Sequence, residues 1–454
     1  MKAIRCFRSN SAWAVGQTLA NFTQPLRAEF NFERLTSAWY AAAGTADHTS
    51  LISQSHSLAS PHTTSPESPA TEAEEAFATH SLPAAGIEVL AIGRIPPPVT
   101  GMTLMTEVVL KALQATGPVE FINTSVGAVR RTPITRLRYV THAIGSAIRL
   151  LFRGRASGQR MYLIANSQAG LYSTMLLVTV ARQMGYSIYL HHHVYSYINR
   201  HDWRMAWIDR IMGSQGIHVV HCEKMARDFH AQYSSRKSFA LVCPSAVSID
   251  VQSPRTLAHV PFRLGMLSNL TISKGVGRAV ETFRSLRASG RSVSLVLAGQ
   301  LQEPAAKKLV QQAMDEFPGA IQYRGPVYGA DKTRYLAEID AFLFPTEYEN
   351  ESWGIVLNEA LAAGVPIITN DRGCSQIVCS ERAGLLIKDA AEFVPQAVRQ
   401  IQLWLDSSTD YAAASRAALE QAEYLNRIGK VSLSEFSAHM FSPIGSTDKL
   451  YQPH

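Results

Sequence analysis

PTEYENESWGIVLNEALAAGVPIITNDRG, Pro345 to Gly373, is the most informative stretch of this 454-residue chain. It follows the apolar run Ala341–Phe344, turns through Pro345 and Thr346, and reaches a helix whose start is marked by Trp353 and Gly354. Glu351 precedes that helix and Glu359 lies inside it, eight positions later. Eight residues make a little over two helical turns. Glu359 therefore comes round to the side of the helix amino terminus, where unpaired N–H groups and the dipole hold a phosphate. A carboxylate beyond the phosphate accepts ribose hydroxyls, and one before it accepts hydroxyls of a sugar. The spacing suits a nucleotide diphosphate sugar.

On either side of this stretch, short β-rich runs alternate with helix-length segments. Upstream the runs are Ile87–Ile92, Val119–Asn123, Met161–Ala165, Ser187–Leu190 and Ile217–Val220; a second series comprises Phe262–Leu267, Ser292–Ala298, Ala320–Tyr323, Ala341–Phe344 and Pro366–Thr369. Runs this apolar are expected to be buried on both faces, in parallel sheets wound on both sides by helices. The fold class is α/β, with two Rossmann-like doubly wound parallel-sheet domains joined near Pro254 to Pro261 and facing a cleft. Such sheets bind ligands at the carboxyl ends of their strands, so the chemistry belongs in the strand-to-helix loops. The expected division is 1–85, an N-terminal extension that is largely disordered; 86–261, the acceptor-side domain; 262–410, the nucleotide-sugar domain; and 411–454, C-terminal helices and tail bracing the two. Tyr411–Tyr424 and Ser432–Met440 are the helix candidates there.

Composition narrows the class. A hydrophobic share of 46% and a charged share of 17% are those of an ordinary globular chain. The longest apolar stretch, Leu171 to Ala181, falls short of the ~20 residues that span a bilayer and reads as a core helix. Ser9, Asn10 and Ser11 interrupt the amino terminus where an export signal would be apolar, so no export is expected. Five cysteines (Cys6, Cys222, Cys243, Cys374 and Cys379) form no CxxC pair and suggest reduced thiols in a cytoplasm. The net charge of +7 is unevenly spread. No carboxylate occurs between Glu120 and Asp202, whereas Arg130, Arg131, Arg136, Arg138, Arg149, Arg153, Arg155, Arg160, Arg182 and Arg200 do. That predicts a one-sign surface attractive to anionic partners.

The Pro345–Gly373 segment resembles the E-x7-E signature of retaining GT-B glycosyltransferases of family 4 (glycosyl transferases group 1), in the variant whose first Glu follows an Asn, as at Asn350–Glu351. The resemblance implies that Glu351 holds donor-sugar hydroxyls, Glu359 the ribose, and the backbone of Ser352, Trp353 and Gly354 the diphosphate. LSNLTISKG, residues 267–275, is similar to the family's glycine-arginine-leucine-x-x-x-lysine-glycine loop. Lys274 then neutralises the diphosphate, and Asn269 stands where many members carry arginine. In residues 92–110 only Gly101 of the family's glycine pair is kept, Thr100 filling the first place. In DRGCSQIV, Asp371 to Val378, Gly373 is kept, while Cys374 and Gln376 replace the second glycine and the acid. Val327, in the stretch from Gly325, matches the segment whose backbone meets the base.

Tyr189 to Arg200 reads YLHHHVYSYINR. A continuing strand points His191 and His193 one way and His192 the other. By the resemblance one histidine lies near the donor's anomeric carbon, His193 first and His191 next; no second ligand cluster accompanies them, and no metal or other cofactor is expected. The implied activity is transfer, with retention, from a nucleotide-sugar donor to an acceptor hydroxyl, in cell-surface polysaccharide or glycolipid synthesis. The expected partners are the donor, a glycolipid or polyprenyl-diphosphate-linked acceptor and an anionic membrane surface, with no nucleic acid. The location is cytoplasmic, peripheral on the inner face of the cell membrane. The alternative is a non-catalytic nucleotide-sugar-binding GT-B protein, suggested by the departures at Thr100, Asn269, Cys374 and Gln376.

Overall fold

The computed structural model describes residues 88–126, 133–154, 156, 158–235, 237–242, 259–301, 303–443 and 450–453, with the side chains of 133–136 left out. The extension 1–85, Cys6, Cys243, Arg130, Arg131, Arg155, most of the expected join and the side chain of Arg136 lie outside the described residues.

The first half alternates strands and helices as β1 (Val89–Gly93), α1 (Gly101–Thr116), β2 (Val119–Asn123), α2 (Pro133–Arg153), β3 (Arg160–Ile164), α3 (Leu171–Met184), β4 (Ser187–His191), α4 (Ser196–Asn199), α5 (Trp203–Met212), β5 (Ile217–Val220), α6 (Glu223–Tyr233) and β6 (Phe239–Leu241). The second continues with β7 (Phe262–Leu267), α7 (Val276–Ala288), β8 (Val293–Ala298), α8 (Pro304–Glu316), β9 (Ile321–Tyr323), α9 (Gly329–Glu338), β10 (Ala341–Phe344), α10 (Ile355–Ala362), β11 (Ile367–Asn370), α11 (Ser375–Val378), β12 (Gly384–Ile387), α12 (Phe393–Asp406) and α13 (Ser408–Met440).

These strands build two six-stranded sheets, ordered β2-β1-β3-β4-β5-β6 and β12-β11-β10-β7-β8-β9. Every strand pairing within them is parallel. The central strands β1, β3, β4 and β5 are buried along their whole length, including the polar side chains Arg160, Ser187, His191 and His218 that interrupt their apolar runs. β2 departs from that expectation, since it lies at the sheet edge and Glu120 and Asn123 are exposed. On one face of the first sheet Leu150, Leu171, Leu177 and Val178 of α2 and α3 form the core. On the other, Val109 and Leu113 of α1 meet Phe436 and Met440 of α13.

The two expected C-terminal helices are one helix of 33 residues. No proline interrupts it, and the lone interior glycine, Gly429, is buried, a tolerable cost of about 1 kcal/mol against alanine. Near its start Tyr411 donates to Asp340 and Ser415 Oγ donates to Gly364 O at 2.7 Å, both in the second sheet's half. Near its end His439 Nε2 lies 2.9 Å from Tyr189 Oη, and the Arg160 guanidinium donates to His439 O. Arg160 is therefore not part of a basic surface, as the charge pattern suggested; it is buried with its charge on carbonyl oxygens.

Candidate active site

In the second sheet the strand order reverses beside its first strand, so the switch point lies between β7 and β10. The loops leaving those two strands hold Lys274 and Glu351. Gly275 makes their meeting possible: it has φ +86°, and a Cβ there would sit 2.1 Å from the carbonyl oxygen of Pro345. Lys274 Nζ forms an ion pair with Glu351 Oε2 and lies 4.4 Å from the centre of the Tyr348 ring. Thr346 Oγ1 stands 3.5 Å from the same carboxylate oxygen. The two charges are only slightly exposed, so this is a shielded pair rather than a solvated one.

α10 begins where the sequence places it. Gly354 caps it in the left-handed conformation (φ +69°), and Glu359 sits in its second turn. Glu359 Oε1 pairs with Lys332 of α9, while its Oε2 is buried without a partner. Gly101, at the start of α1, faces the first residue of α10, since a Cβ on it would lie 3.2 Å from Ile355 Cδ1. Thr100 at the lost glycine position closes a capping box with Thr103, which explains how threonine is accommodated. Gly373 packs against the signature loop, with Ser352 O only 2.3 Å from where its Cβ would be. Cys374 N donates to that same Ser352 carbonyl at 2.6 Å. Asn269 is exposed, and Val327 is half-buried against the core.

The carboxyl ends of the first sheet meet this loop directly. Ser352 Oγ donates to His193 O at 2.8 Å, and Asn199 Nδ2 to Glu349 O at 3.2 Å. Cys222, the residue capping α6, and Cys374 bring their sulfurs to 2.7 Å of each other, both free thiols. That contact lowers the Cys222 thiol's pKa.

His191, His193 and His221 form one buried group, the ring centres of the first two 4.1 Å apart. Burial, and then the neighbouring rings, hold His191 and His193 well below the ordinary imidazole range. Burial takes His221 down to about 4. As the alternation predicts, His192 points away, bonding Tyr197 Oη and His218.

Lys332 and His221 are the site residues that sequence reasoning missed. His221 follows the fifth strand directly, a position equivalent to that of the flagged histidines, and this was its one signal; Lys332 had none.

Two doubly wound parallel sheets whose carboxyl ends meet at such a loop define the GT-B class of fold. Sucrose-phosphate synthase from Thermosynechococcus elongatus shares it with a TM-score of 0.57 at 13% identity, over 78% of this chain and 98% of that one. Anabaena Alr3699/HepE, solved in complex with UDP-glucose, matches with a TM-score of 0.52 at 15% identity, over 77% of this chain and 100% of that one. Residues 261–402 match the family model described as glycosyl transferases group 1. Over 190 residues the chain is 27% identical to the amylovoran biosynthesis glycosyltransferase AmsK of Erwinia amylovora. That stretch is 40% of this chain and spans 46% of the relative's length.

Proposed function

We propose that the protein is a retaining glycosyltransferase of family 4 that moves a hexose from a nucleotide diphosphate sugar to an acceptor hydroxyl. The observation that carries this reading is the pair of lysine-carboxylate contacts, Lys274–Glu351 and Lys332–Glu359, on the two sides of the α10 amino terminus, with Glu359 Oε2 unpartnered. Glu359 offers that oxygen to a ribose hydroxyl and Glu351 holds the sugar. Lys274, the backbone from Ser352 to Gly354 and the α10 dipole take the diphosphate. Lys332 supplies a second cation where Asn269 supplies none. Gly101, Val327 and Gly373 line the donor by backbone, and His193, with His191 behind it, lies on the acceptor side of the anomeric carbon.

In the step itself the anomeric carbon's bond to the diphosphate breaks, and a bond to the acceptor oxygen forms on the same face. The acceptor proton passes to the leaving phosphate oxygen. The charge that develops is met by fixed cations and N–H groups, so the diphosphate needs no metal ion.

The acceptor side supports a lipid-linked substrate. Along α2, Leu137, Val140, Ile144, Ile148, Leu151 and Phe152 are exposed in one helical stripe, Phe152 to 83%. Arg138 and Arg149 belong to the same helix. Arg153, also expected on this surface, is instead paired with Glu88 and Glu120. The reading is peripheral attachment to the anionic inner leaflet, with a glycolipid or polyprenyl-diphosphate-linked acceptor. Among the described residues no helix is long and apolar enough to cross a membrane.

A second reading, a nucleotide-sugar binder without turnover, is favoured by Cys374 and Gln376: the thiol packs on Cys222 and the amide bonds Asp371, so neither reaches the donor as its family counterpart does. Incubation with UDP-, GDP- and ADP-sugars separates the two. Release of nucleoside diphosphate establishes the transferase; saturable binding with the donor left intact establishes the binder.

A further inference from the structure

We propose that His191, His193 and His221 form a binding site for one divalent transition-metal ion of the zinc type, with a coordination position open towards the signature loop. The site follows from strand register. β4 and β5 are parallel neighbours in which His191 pairs with Val219. Two residues further on, His193 and His221 continue the alternation and turn to the same side as His191.

The opposite side of the same two strands is an internal control. There His192 Nδ1 bonds Tyr197 Oη at 2.9 Å, His192 Nε2 bonds His218 Nδ1 at 2.8 Å, and His218 Nε2 reaches Asp209 Oδ1 at 2.8 Å. Each ring nitrogen in that network has a partner, as buried polar groups normally do. On the triad side, Nε2 of His191 and Nε2 of His193 are buried with none.

The outer nitrogens are held in a pattern that metal ligands require. His191 Nδ1 lies 2.5 Å from Tyr162 Oη, and His221 Nδ1 lies 3.4 Å from Val242 O. A carbonyl only accepts, so His221 carries its proton on Nδ1 and leaves Nε2 as a bare lone pair; His191 offers the same lone pair in the tautomer whose Nδ1 donates to Tyr162 Oη. Converging lone pairs in a buried space repel one another, and a cation at their focus removes that cost. Ring centres stand 4.1, 5.3 and 5.2 Å apart, and one donor atom from each histidine lies within 4.8 Å of the others. Small ring rotations bring all three to the ~2.0–2.1 Å of a zinc–imidazole bond.

The low basicity of the rings leaves them unprotonated at neutral pH, so no proton has to be displaced on binding. Three neutral imidazoles without a carboxylate or thiolate select a borderline ion such as zinc over magnesium or calcium. They also leave its double charge uncompensated, so the fourth ligand is an anionic or polarised oxygen. Ser352, bonded to His193 O, and Trp353, with its ring centre 6.1 Å from that of His221, put the second domain at the mouth of the site. This is separate from the diphosphate cations Lys274 and Lys332, and it stands whether or not the protein transfers sugar.

Untagged full-length protein, incubated with zinc and freed of excess, is expected to retain about one zinc per chain by elemental analysis. Cobalt in its place is expected to give the strong visible absorption of a four-coordinate site. His193→Gln and His221→Gln should each weaken zinc binding at least roughly tenfold, whereas His201→Gln, at an exposed position, should retain it. If a triad variant does not fold, calorimetric titration of the wild-type protein with zinc decides alone. Absence of saturable binding overturns the proposal, as does binding that survives both triad substitutions. Because the readout is metal content, it is unaffected by failure to find a sugar donor.

Discussion

The two sheets bring opposite kinds of chemistry to the place where they meet. The second contributes charge held in pairs, Lys274 with Glu351 and Lys332 with Glu359. The first contributes buried imidazoles that burial keeps neutral. The difference follows from what each loop leaves behind it. Lys274 and Glu351 stand on loops at a switch point, where each charge, though shielded, has the other as its partner. His191 ends a strand buried from end to end, and His193 lies just beyond it, where burial disfavours the charged form. A donor carrying a diphosphate belongs with the first arrangement, and a reacting carbon that must be kept from water belongs against the second.

The largest effect that would sharpen this contrast is at Lys274. Lys274→Ala is expected to lower kcat/KM by roughly 10²-fold or more, the scale of losing one pre-organised charge-stabilising group. A loss under about threefold would make Lys274 a structural partner of Glu351 and nothing more. The neighbouring carboxylates should then separate by parameter. On the proposed ribose-gripping role, Glu359→Ala is expected to weaken nucleotide binding about tenfold, the scale of a lost charged hydrogen bond. On the proposed sugar-side role, Glu351→Ala is expected mainly to lower kcat. Unchanged kinetics in both variants would break the assignment, and a Lys332→Ala variant that matches Glu359→Ala would confirm that the two act as a pair.

Much of this was legible in the sequence because it is local. Glu351, Gly354 and Glu359 are fixed relative to one another by a single loop and helix, and Lys274 lies next to the glycine that lets its loop approach. Ten of the twelve strands among the described residues could be read from apolar runs. β6 and β12 were not read: β6 is three residues at a sheet edge, and β12 opens on a glycine. Lys332 and His221 join the site only through strand order and register, which no spacing along the chain encodes. Arg153 shows the same limit in reverse: its carboxylate partners lie 33 and 65 residues away, so a carboxylate-free stretch of sequence was not a carboxylate-free surface.

That correction changes the membrane test. Arg153 is already neutralised, so the basic residues to replace are Arg138 and Arg149, and the apolar ones are Leu137, Ile148 and Phe152. Each basic contact with anionic lipid contributes about 1 kcal/mol, so removing both should weaken vesicle binding about tenfold or more. Sedimentation with anionic vesicles at low salt is expected to carry the protein down, and neutral vesicles are not. Equal binding to both, or to neither, would break the reading of α2 as the lipid-facing side of the first domain.

The smallest effect concerns the link between the two halves. α13 holds the second sheet's half through Tyr411 and Ser415 and reaches the first through His439, whose imidazole meets Tyr189. Burial, and then the charge of Arg160, hold His439 down to about 4 from its ordinary 6.5. With its folded pKa depressed, the ring binds fewer protons in the folded state than in the unfolded one. Its contribution is therefore complete above about pH 6.5 and is lost as the pH falls towards 4. His439→Gln keeps a polar group for Tyr189 but cannot titrate. The variant should be less stable at pH 7.5 by roughly 2 °C in Tm, the scale of one neutral hydrogen bond. The gap should close as the pH is lowered, because only the wild type pays for protonating position 439. The other buried histidines titrate in both proteins and cancel in the difference. A gap that stays constant from pH 7.5 to 5 would show that the far end of α13 is held by Phe436 and Arg160 alone.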